Sequence, residues 1–376
     1  MQNLLSHLST IFLFTLVFAC SPTQENLDKT AQPENKYEDF QINSGTNISH
    51  WLSQSQRRGE ARKNFFQKED VAYLASLGFD HLRFPVDEEQ MFDEAGNKEE
   101  EAFQLLHNAL GWCRENGLRA IVDLHILRSH HFNEEEKPLW TAPTAQEKFI
   151  ALWRSFSEEL SQYPVGMVAY ELMNEPVADD PEDWNQLVAK AYTAIRESEP
   201  QRTIVIGSNR WQSANTFDQL KVPDNDENIL LSFHFYEPFL LTHYQASWTN
   251  LADYKGPVHY PGPLLTNEEF EALSPRQQDI VGRRMHAYTQ DTLEQMMQKP
   301  LRVAQETGLP LYCGEWGVIT KAPEEARLQW YRDMIEVFKK NGIAYANWDY
   351  KSGSFGLVGD DGSVNTALVQ IISPEK

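Results

Sequence analysis

Two glutamates each stand at the end of a short apolar run. Glu175 follows the run that starts at Met167, and Glu315 follows the run that starts at Pro310. A single glutamate in such a place is usually a solvated or ion-paired residue. Two carboxylates that face each other can do more, because one protonates a departing oxygen while the other attacks carbon or activates water. The pair therefore predicts acid and base chemistry of the kind that cleaves a glycosidic bond.

A second group of polar residues offers metal chemistry as an alternative. His130 and His131 lie close in sequence to the acidic run from Glu134 to Glu136. No paired spacing such as His-Glu-x-x-His accompanies them, although that spacing is what places two zinc ligands on one helix face. We therefore predict no metal and no other cofactor. A metal-dependent hydrolase stays open as an alternative that loss of activity to a chelator would reveal.

Short apolar runs alternate with amphipathic stretches from Phe40 to Ile372, as expected for βα units around a parallel sheet. The eight apolar runs span Ser44–Ile48, His81–Pro85, Ala120–His125, Met167–Asn174, Thr203–Gly207, Ile229–Tyr236, Pro310–Glu315 and Ala344–Trp348. The clearest helical periods span Glu99–Asn116, Gln146–Gln162, Pro181–Glu199, Gln290–Glu306 and Glu324–Asn341. Eight such units predict a single (β/α)8 TIM barrel. The segment Gly45–Ser49 lacks the glycine-rich turn that an open doubly wound sheet would carry there.

In a barrel of this kind, active-site residues lie at the carboxyl ends of the strands. Glu175 ends the fourth predicted strand and Glu315 ends the seventh, so the two should face each other across a central cleft. Long connections after strands three and six, His131–Ala145 and Glu237–Met285, should wall that cleft. Glu171 has the strand parity of Glu175, and we predict that it points into the barrel as a structural, hydrogen-bonded carboxylate.

With these residues in place, nearly all of the chain after its first 39 residues resembles glycoside hydrolase family 5, also called cellulase family A. The positions that match the family pattern are Arg83, His125, Asn174, Glu175, His234, Tyr236, Glu315 and Trp348. One position departs from it, because Ile126 stands where many relatives have a second histidine.

The resemblance implies a retaining double displacement, with Glu315 as nucleophile and Glu175 as acid and then base. Arg83 and the Tyr236 hydroxyl would support the ionised Glu315. Asn174 would reach the 2-hydroxyl of the sugar under attack.

The remaining matched positions would bind sugar. His125 and His234 are predicted to hydrogen-bond a sugar or orient a neighbour, and the alternative is that they are merely satisfied polar groups in the barrel top. Trp348 is the predicted stacking platform for a sugar ring. Possible further subsite aromatics, each of which could instead pack in the core, are Trp51, Trp211 and Trp248.

The predicted function is hydrolysis of a β-linked polysaccharide, above all as an endo-β-1,4-glucanase that cuts cellulose or mixed-linkage glucan. A β-mannanase and an exo-acting β-glucosidase or glucanase of the same family remain alternatives. A surface glycan-binding lipoprotein without turnover is the alternative from a different class. We expect a monomer whose partner is a β-glucan or a related oligosaccharide.

The charge and the aromatic content of the chain indicate which kinds of molecule it can bind. The 376 residues include 33 Lys and Arg against 55 Asp and Glu, which gives a formal net charge of −22. This charge, without a basic run, predicts no nucleic-acid partner because phosphates would be repelled. The 10 Trp, 14 Tyr and 20 Phe suit a ligand with flat apolar faces.

The amino terminus predicts export. Residues 1–19 have the pattern of a signal peptide, and Cys20 follows a small residue as in a bacterial lipobox. We therefore predict a lipidated Cys20, a flexible tether over 20–39 and a catalytic domain over 40–376. The protein would be a membrane-anchored lipoprotein of the cell envelope, with simple secretion as the alternative. Cys113 and Cys313 are expected to be free buried thiols.

Overall fold

In the computed structural model, residues 37–282, 286–351, 353–359 and 361–374 are described, and they contain eight parallel strands closed into one barrel. The strands are β1 Ser44–Asn47, β2 His81–Asp87, β3 Arg119–Ile126, β4 Val168–Glu171, β5 Ile204–Gly207, β6 Ile229–Phe235, β7 Leu311–Trp316 and β8 Ala344–Asn347. Their order around the ring follows the chain, and β8 closes the barrel against β1. The predicted (β/α)8 barrel is confirmed.

Amphipathic helices surround the strands. The longer ones are Lys68–Ser76, Glu100–Glu115, Pro143–Leu160, Pro181–Arg196, Gln298–Thr307 and Glu324–Asn341. The predicted helix Gln290–Glu306 is wrong as one unit, because it is divided into Gln290–Met296 and Gln298–Thr307. Pro300 explains the division, since its ring clashes with the carbonyl four residues earlier and it has no N–H to donate.

Shorter helices lie in the connections between these elements. They are Glu60–Lys63, Glu88–Met91, Pro138–Thr141, Phe239–Thr242, Asn267–Ala272, Pro275–Val281 and Thr366–Ile372, with a 3-10 helix at Ala214–Gln219 and an irregular, non-helical turn at Asn209–Gln212. The long connection after β6 also contains an antiparallel pair, Gly262–Pro263 with Ala287–Tyr288. The two connections predicted to be long are therefore partly built of short elements of their own.

The barrel is filled by side chains and closed at its base. Interior side chains from six strands form a small apolar cluster, with members Ile121, Ala169, Val205, Leu230, Tyr312, Ala344 and Ala346. Phe40 and Ile42 pack against this cluster, while Gln41 between them is exposed. Arg119 at the start of β3 donates to the Asp39 carbonyl at 3.1 Å. The segment 37–43 therefore lies across the amino-terminal ends of the strands as a floor, which we call the base segment.

Cys113 and Cys313 are free and buried, as expected. Within the described residues, no helix is both long and apolar enough to cross a bilayer. The predicted signal peptide, Cys20 and the tether up to Lys36 lie outside the described part of the chain.

Candidate active site

The carboxylate of Glu315 is held from two sides at the end of β7. Arg83 on β2 donates from Nη1 to Glu315 Oε1 at 2.8 Å, and the Tyr236 hydroxyl donates to Oε2 at 3.1 Å. The Glu315 side chain is only 7% exposed. A carboxylate fixed by a guanidinium and a hydroxyl keeps its charge and its direction, as a nucleophile requires.

Arg83 lies at the centre of the site, contacts several of its polar side chains and is completely buried. Its other contacts are Glu171 at 2.7 and 3.1 Å, Asn47 at 2.8 Å, Asn174 at 3.0 Å and Asp123 at 3.0 Å. Burial opposes its charge, yet the three carboxylates around it raise the pKa of Arg83 well above its usual value. Glu171 is thus the structural, inward-pointing carboxylate that its strand parity predicted.

Glu175 lies just beyond the end of β4, where its backbone has a φ of +45°, in the left-handed region. Its N–H donates to Gln212 Oε1 at 2.8 Å, and His234 Nδ1 lies 2.9 Å from its Oε1. One oxygen of Glu175, one oxygen of Glu315 and one ring nitrogen of His234 all lie within 4.8 Å of one another. The two acids therefore share one small cleft, as their places at the ends of strands four and seven predicted.

The electrostatics of the two acids differ. Burial raises the pKa of Glu175 well above its usual value, and the neighbouring charge of Glu315 adds to the shift. Burial also raises the pKa of Glu315, but the Arg83 guanidinium opposes that rise. Glu175 is therefore the group that keeps a proton, and Glu315 is the group that gives it up.

Both site histidines are neutral. His125 Nδ1 lies 2.7 Å from Asp123 Oδ2, and burial lowers the pKa of His125 to about 3. Burial likewise lowers the pKa of His234 well below its usual value. Neutral imidazoles next to carboxylates bind and orient other groups, while the two glutamates supply the proton transfers.

Asn174 is held on one side and open on the other. Its Oδ1 accepts from Arg83, while its buried Nδ2 has no hydrogen-bond partner among the described residues. A buried amide donor without a partner is costly unless a ligand satisfies it. This donor suits a sugar hydroxyl beside the two acids.

The predicted aromatic positions differ in exposure. Trp348 is 9% exposed, and its ring stacks on His125 with centroids 5.6 Å apart and planes 8° apart. Trp211 is 44% exposed and Trp248 is 53% exposed, so both rings are open to solvent and their role as subsite aromatics stays a prediction. The interpretation of Trp51 as a subsite aromatic is wrong, because Trp51 is 1% exposed.

Trp51 is a core residue because the connection after β1 folds back over it. Its indole N–H donates to the Arg62 carbonyl at 2.9 Å, and its ring packs against Phe66 and Phe84. The position of Trp51 just after β1 in the sequence does not predict that the following connection folds back over its ring.

Three residues of the site were not predicted from the sequence: Asn47, Asp123 and Gln212. Asp123 had a usable signal, because it stands two residues before His125 and so shares its face of β3. Asn47 ends β1 and could have been found from that position. Gln212 had no such signal, since it lies in an irregular connection after β5.

The alternative metal cluster does not form where the sequence suggested it. His130 is buried, and its Nε2 accepts a hydrogen bond from the Val177 N–H at 3.1 Å. His131 Nδ1 lies 3.6 Å from Glu134 Oε1. Within the described ranges, the one group of three possible metal ligands is Glu175, His234 and Glu315, whose side chains already take part in the contacts given above.

Comparisons with known proteins show which family and fold the chain shares. A family model described as cellulase (glycosyl hydrolase family 5) matches residues 40–354. Endoglucanase C of Acetivibrio thermocellus is 30% identical over 339 residues, which cover 89% of this chain and 98% of that protein. Cellodextrinase A of Ruminococcus flavefaciens is 30% identical over 307 residues, covering 81% of this chain and 84% of that protein.

Solved structures share the fold. The Thermotoga maritima enzyme Cel5A, crystallised with mannotriose, superposes with a TM-score of 0.70 at 22% identity, covering 90% of this chain and 98% of that one. The cellulose synthase subunit Z of Clostridioides difficile gives a TM-score of 0.71 at 21% identity, covering 89% of this chain and 100% of that one.

Proposed function

The chain belongs to glycosyl hydrolase family 5, and we propose that within this family it is a retaining endo-β-1,4-glucanase. The observation that carries the proposal is the closeness of the two acids, which bring one oxygen each within 4.8 Å of the other. Retaining glycosidases hold their carboxyl groups about 5–5.5 Å apart, whereas inverting ones need about 6.5–9.5 Å to admit a water.

In the first step, a Glu315 oxygen attacks the anomeric carbon while the Glu175 proton passes to the glycosidic oxygen. The bond between that carbon and oxygen breaks, and a glycosyl ester forms on Glu315. Arg83 and Tyr236 hold the carboxylate in place before the attack. The proton is available because burial and the Glu315 charge raise the pKa of Glu175.

In the second step, Glu175 works as a base. Once Glu315 is esterified its charge is gone, so the pKa of Glu175 falls and the ionised carboxylate can take a proton from water. The water oxygen attacks the anomeric carbon, the ester bond breaks, and Glu315 leaves as a carboxylate. Two inversions restore the original configuration of the sugar.

The neighbouring polar groups fit supporting roles. The Asn174 Nδ2 donates to the 2-hydroxyl of the sugar, a contact that strengthens in the transition state. His234 holds one oxygen of Glu175 and leaves the other for proton transfer. His125, stacked on Trp348, presents a neutral ring to the same sugar.

A polymeric β-glucan is the substrate that the cleft and the relatives favour together. Trp348 offers an apolar surface beside the acids, and the exposed Trp211 and Trp248 offer further ones. Aromatic rings along a cleft suit a chain of sugars, because each ring stacks on the apolar face of one unit. The relatives named endoglucanase and cellodextrinase support β-1,4-glucan as the first choice.

The test is reducing-sugar release by the purified protein on carboxymethylcellulose, barley mixed-linkage glucan, galactomannan, laminarin and xylan. Release from the two β-1,4-containing glucans, with retention of anomeric configuration by NMR, is expected. Glu315→Gln should remove the activity while the protein stays folded. Release from galactomannan alone would replace the proposal with a β-mannanase, and activity only on short aryl glycosides would replace it with an exo-acting enzyme.

We also propose that the protein is anchored to a membrane of the cell envelope through lipid on Cys20. The support is the apolar run Ile11–Cys20, which has Ala19 just before the cysteine. Labelling with a radioactive fatty acid should mark the wild-type protein and fail to mark Cys20→Ser. Equal labelling of both, or release of the wild type into the medium, would contradict the anchor.

A further inference from the structure

The connections after β4 and β5 are joined to each other by hydrogen bonds. Asn209 Oδ1 accepts from the Ala178 N–H at 2.8 Å, and Asn209 Nδ2 donates to the Ala178 carbonyl at 2.9 Å. The Trp211 N–H donates to the Pro176 carbonyl at 3.3 Å. These bonds place the connection after β5 directly beside Glu175.

Both connections contain non-glycine residues in the left-handed region. Arg210, Trp211 and Gln212 follow one another with φ of 59°, 60° and 50°, and Glu175 has φ of 45°. Residues with a Cβ adopt this region at a cost in free energy, so surrounding contacts must hold it. Such strain is found most often where a functional group has to be aimed.

Gln212 is the residue that this turn aims inward, and it is fully buried. Its Oε1 accepts the Glu175 N–H at 2.8 Å, and its Nε2 donates to Glu171 Oε1 at 3.1 Å and to Ser232 Oγ at 3.3 Å. Gly207 leaves room for it, since a Cβ there would lie 2.6 Å from the Gln212 side chain.

We propose that Gln212 is a positioning residue for proton transfer by Glu175. This inference rests on the proposed role of Glu175 as the general acid. The amide fixes the strained backbone of the acid, and through Glu171 it reaches Arg83, which holds Glu315. The neighbouring Trp211 is exposed, so one short segment sets both a candidate sugar contact and the aim of the acid.

Leaving-group chemistry separates this role from a merely structural one. A natural glycosidic oxygen needs a proton as it departs, whereas a dinitrophenolate departs without one. A misplaced acid should therefore lower kcat/KM, which reports the first step, on cellotetraose and leave kcat/KM on 2,4-dinitrophenyl β-cellobioside nearly unchanged. A general loss of folding would slow both equally.

The experiment compares Gln212→Met with Gln90→Met. Methionine keeps the volume and removes the amide. Gln90 is a matched control because it is also fully buried and its amide bonds Ser55 and Arg62, away from both acids. For Gln212→Met we expect kcat/KM on cellotetraose to fall about 10- to 100-fold, with kcat/KM on the activated substrate changed by no more than about threefold.

Equal losses on the two substrates, or a Gln212→Met enzyme as active as the Gln90→Met control, would overturn the inference. If Gln212→Met does not fold, Asn209→Ala should give the same split between substrates, because it removes the two bonds to Ala178 beside the acid. Glu175→Gln tests the premise separately. If that variant still hydrolyses cellotetraose at the wild-type rate, the proposed role of Glu175 fails, whatever Gln212 does.

Discussion

Two buried arginines, Arg83 and Arg202, mark opposite ends of the barrel, and neither is exposed to solvent. Arg202 precedes β5 at the base. It donates to one carboxylate, Glu199, at 2.8 Å, and its remaining bonds go to the backbone carbonyls of Tyr163, Pro164 and Val168. One cation there meets one anion, and neutral acceptors take the other N–H groups.

Arg83 at the mouth meets three carboxylates instead, those of Asp123, Glu171 and Glu315. Burial raises the pKa of Asp123 to about 7, and the guanidinium opposes that rise. The balanced arginine stabilises the fold, while the unbalanced one keeps reactive acids in low-dielectric surroundings. A buried ion pair can therefore serve structure or chemistry, and the charge count around it tells which.

The largest effect is expected for substitution of Arg83, at the end of the barrel that holds the two acids. Arg83→Lys keeps one charge but loses the fork that reaches Glu315, Glu171 and Asn174 together, so kcat/KM on a β-glucan should fall about 10²- to 10³-fold. Circular dichroism must show a folded variant for the comparison to count. A folded Arg83→Lys enzyme with near-wild-type activity would mean that the fork is not part of the chemistry.

At the base, Arg202→Met should affect stability rather than chemistry. It leaves Glu199 and three carbonyls buried without their donor, which should lower the free energy of unfolding by about 3–5 kcal/mol. Urea unfolding measures the loss, and kcat per folded molecule at room temperature should stay at the wild-type value. A loss of kcat with an unchanged free energy of unfolding would contradict the purely structural role of Arg202 and its difference from Arg83.

The pH dependence of activity tests which of the two acids, Glu175 or Glu315, holds the proton. Glu175 must be protonated in the free enzyme, so kcat/KM should fall about tenfold per pH unit above its raised pKa. Glu315 must be ionised, so activity should also fall below the pKa of Glu315. In Glu175→Gln the alkaline limb should disappear on an activated aryl glycoside. An alkaline limb that persists there would belong to another group.

The smallest effect concerns Asp87, also at the mouth. Burial raises the pKa of Asp87 to about 7. Because the folded state then binds a proton more tightly than the unfolded state, Asp87 contributes most at low pH, and stability declines as pH rises toward that value. The free energy of unfolding of Asp87→Asn, measured relative to that of the wild type, should therefore increase by about 1–2 kcal/mol when the pH is raised from about 5 to about 8. Urea-unfolding curves whose difference between variant and wild type is the same at both pH values would contradict this.

Much of this fold and site could be predicted from the sequence. Each barrel strand has its own apolar run, and polar residues at the strand ends, such as Glu175 and Glu315, must meet at the mouth once the barrel closes. Residues two apart on a strand share a face, so Asp123 is within reach of the same reasoning. These features follow from local periodicity and one closure rule.

Other features depend on turns that local patterns do not specify. Trp51 is a core residue because a loop folds back over it, and Gln212 reaches the acid through three left-handed residues with no glycine among them. Nothing in the sequence from Asn209 to Ser213 distinguishes that turn from an ordinary one. The break before Pro300 is marked by the proline itself, but the helical period continues on both sides of it and conceals the division.

The base segment determines from which side the molecule can be held while its cleft stays accessible. Because Phe40 and Ile42 close the floor and the acids open at the roof, the chain enters the barrel at the pole opposite its cleft. A support joined to the chain just ahead of Tyr37 would hold the molecule from behind. An enzyme immobilised through this end should therefore keep its cleft open to a glucan chain, whereas attachment beside Trp211 or Trp248 would block the approach.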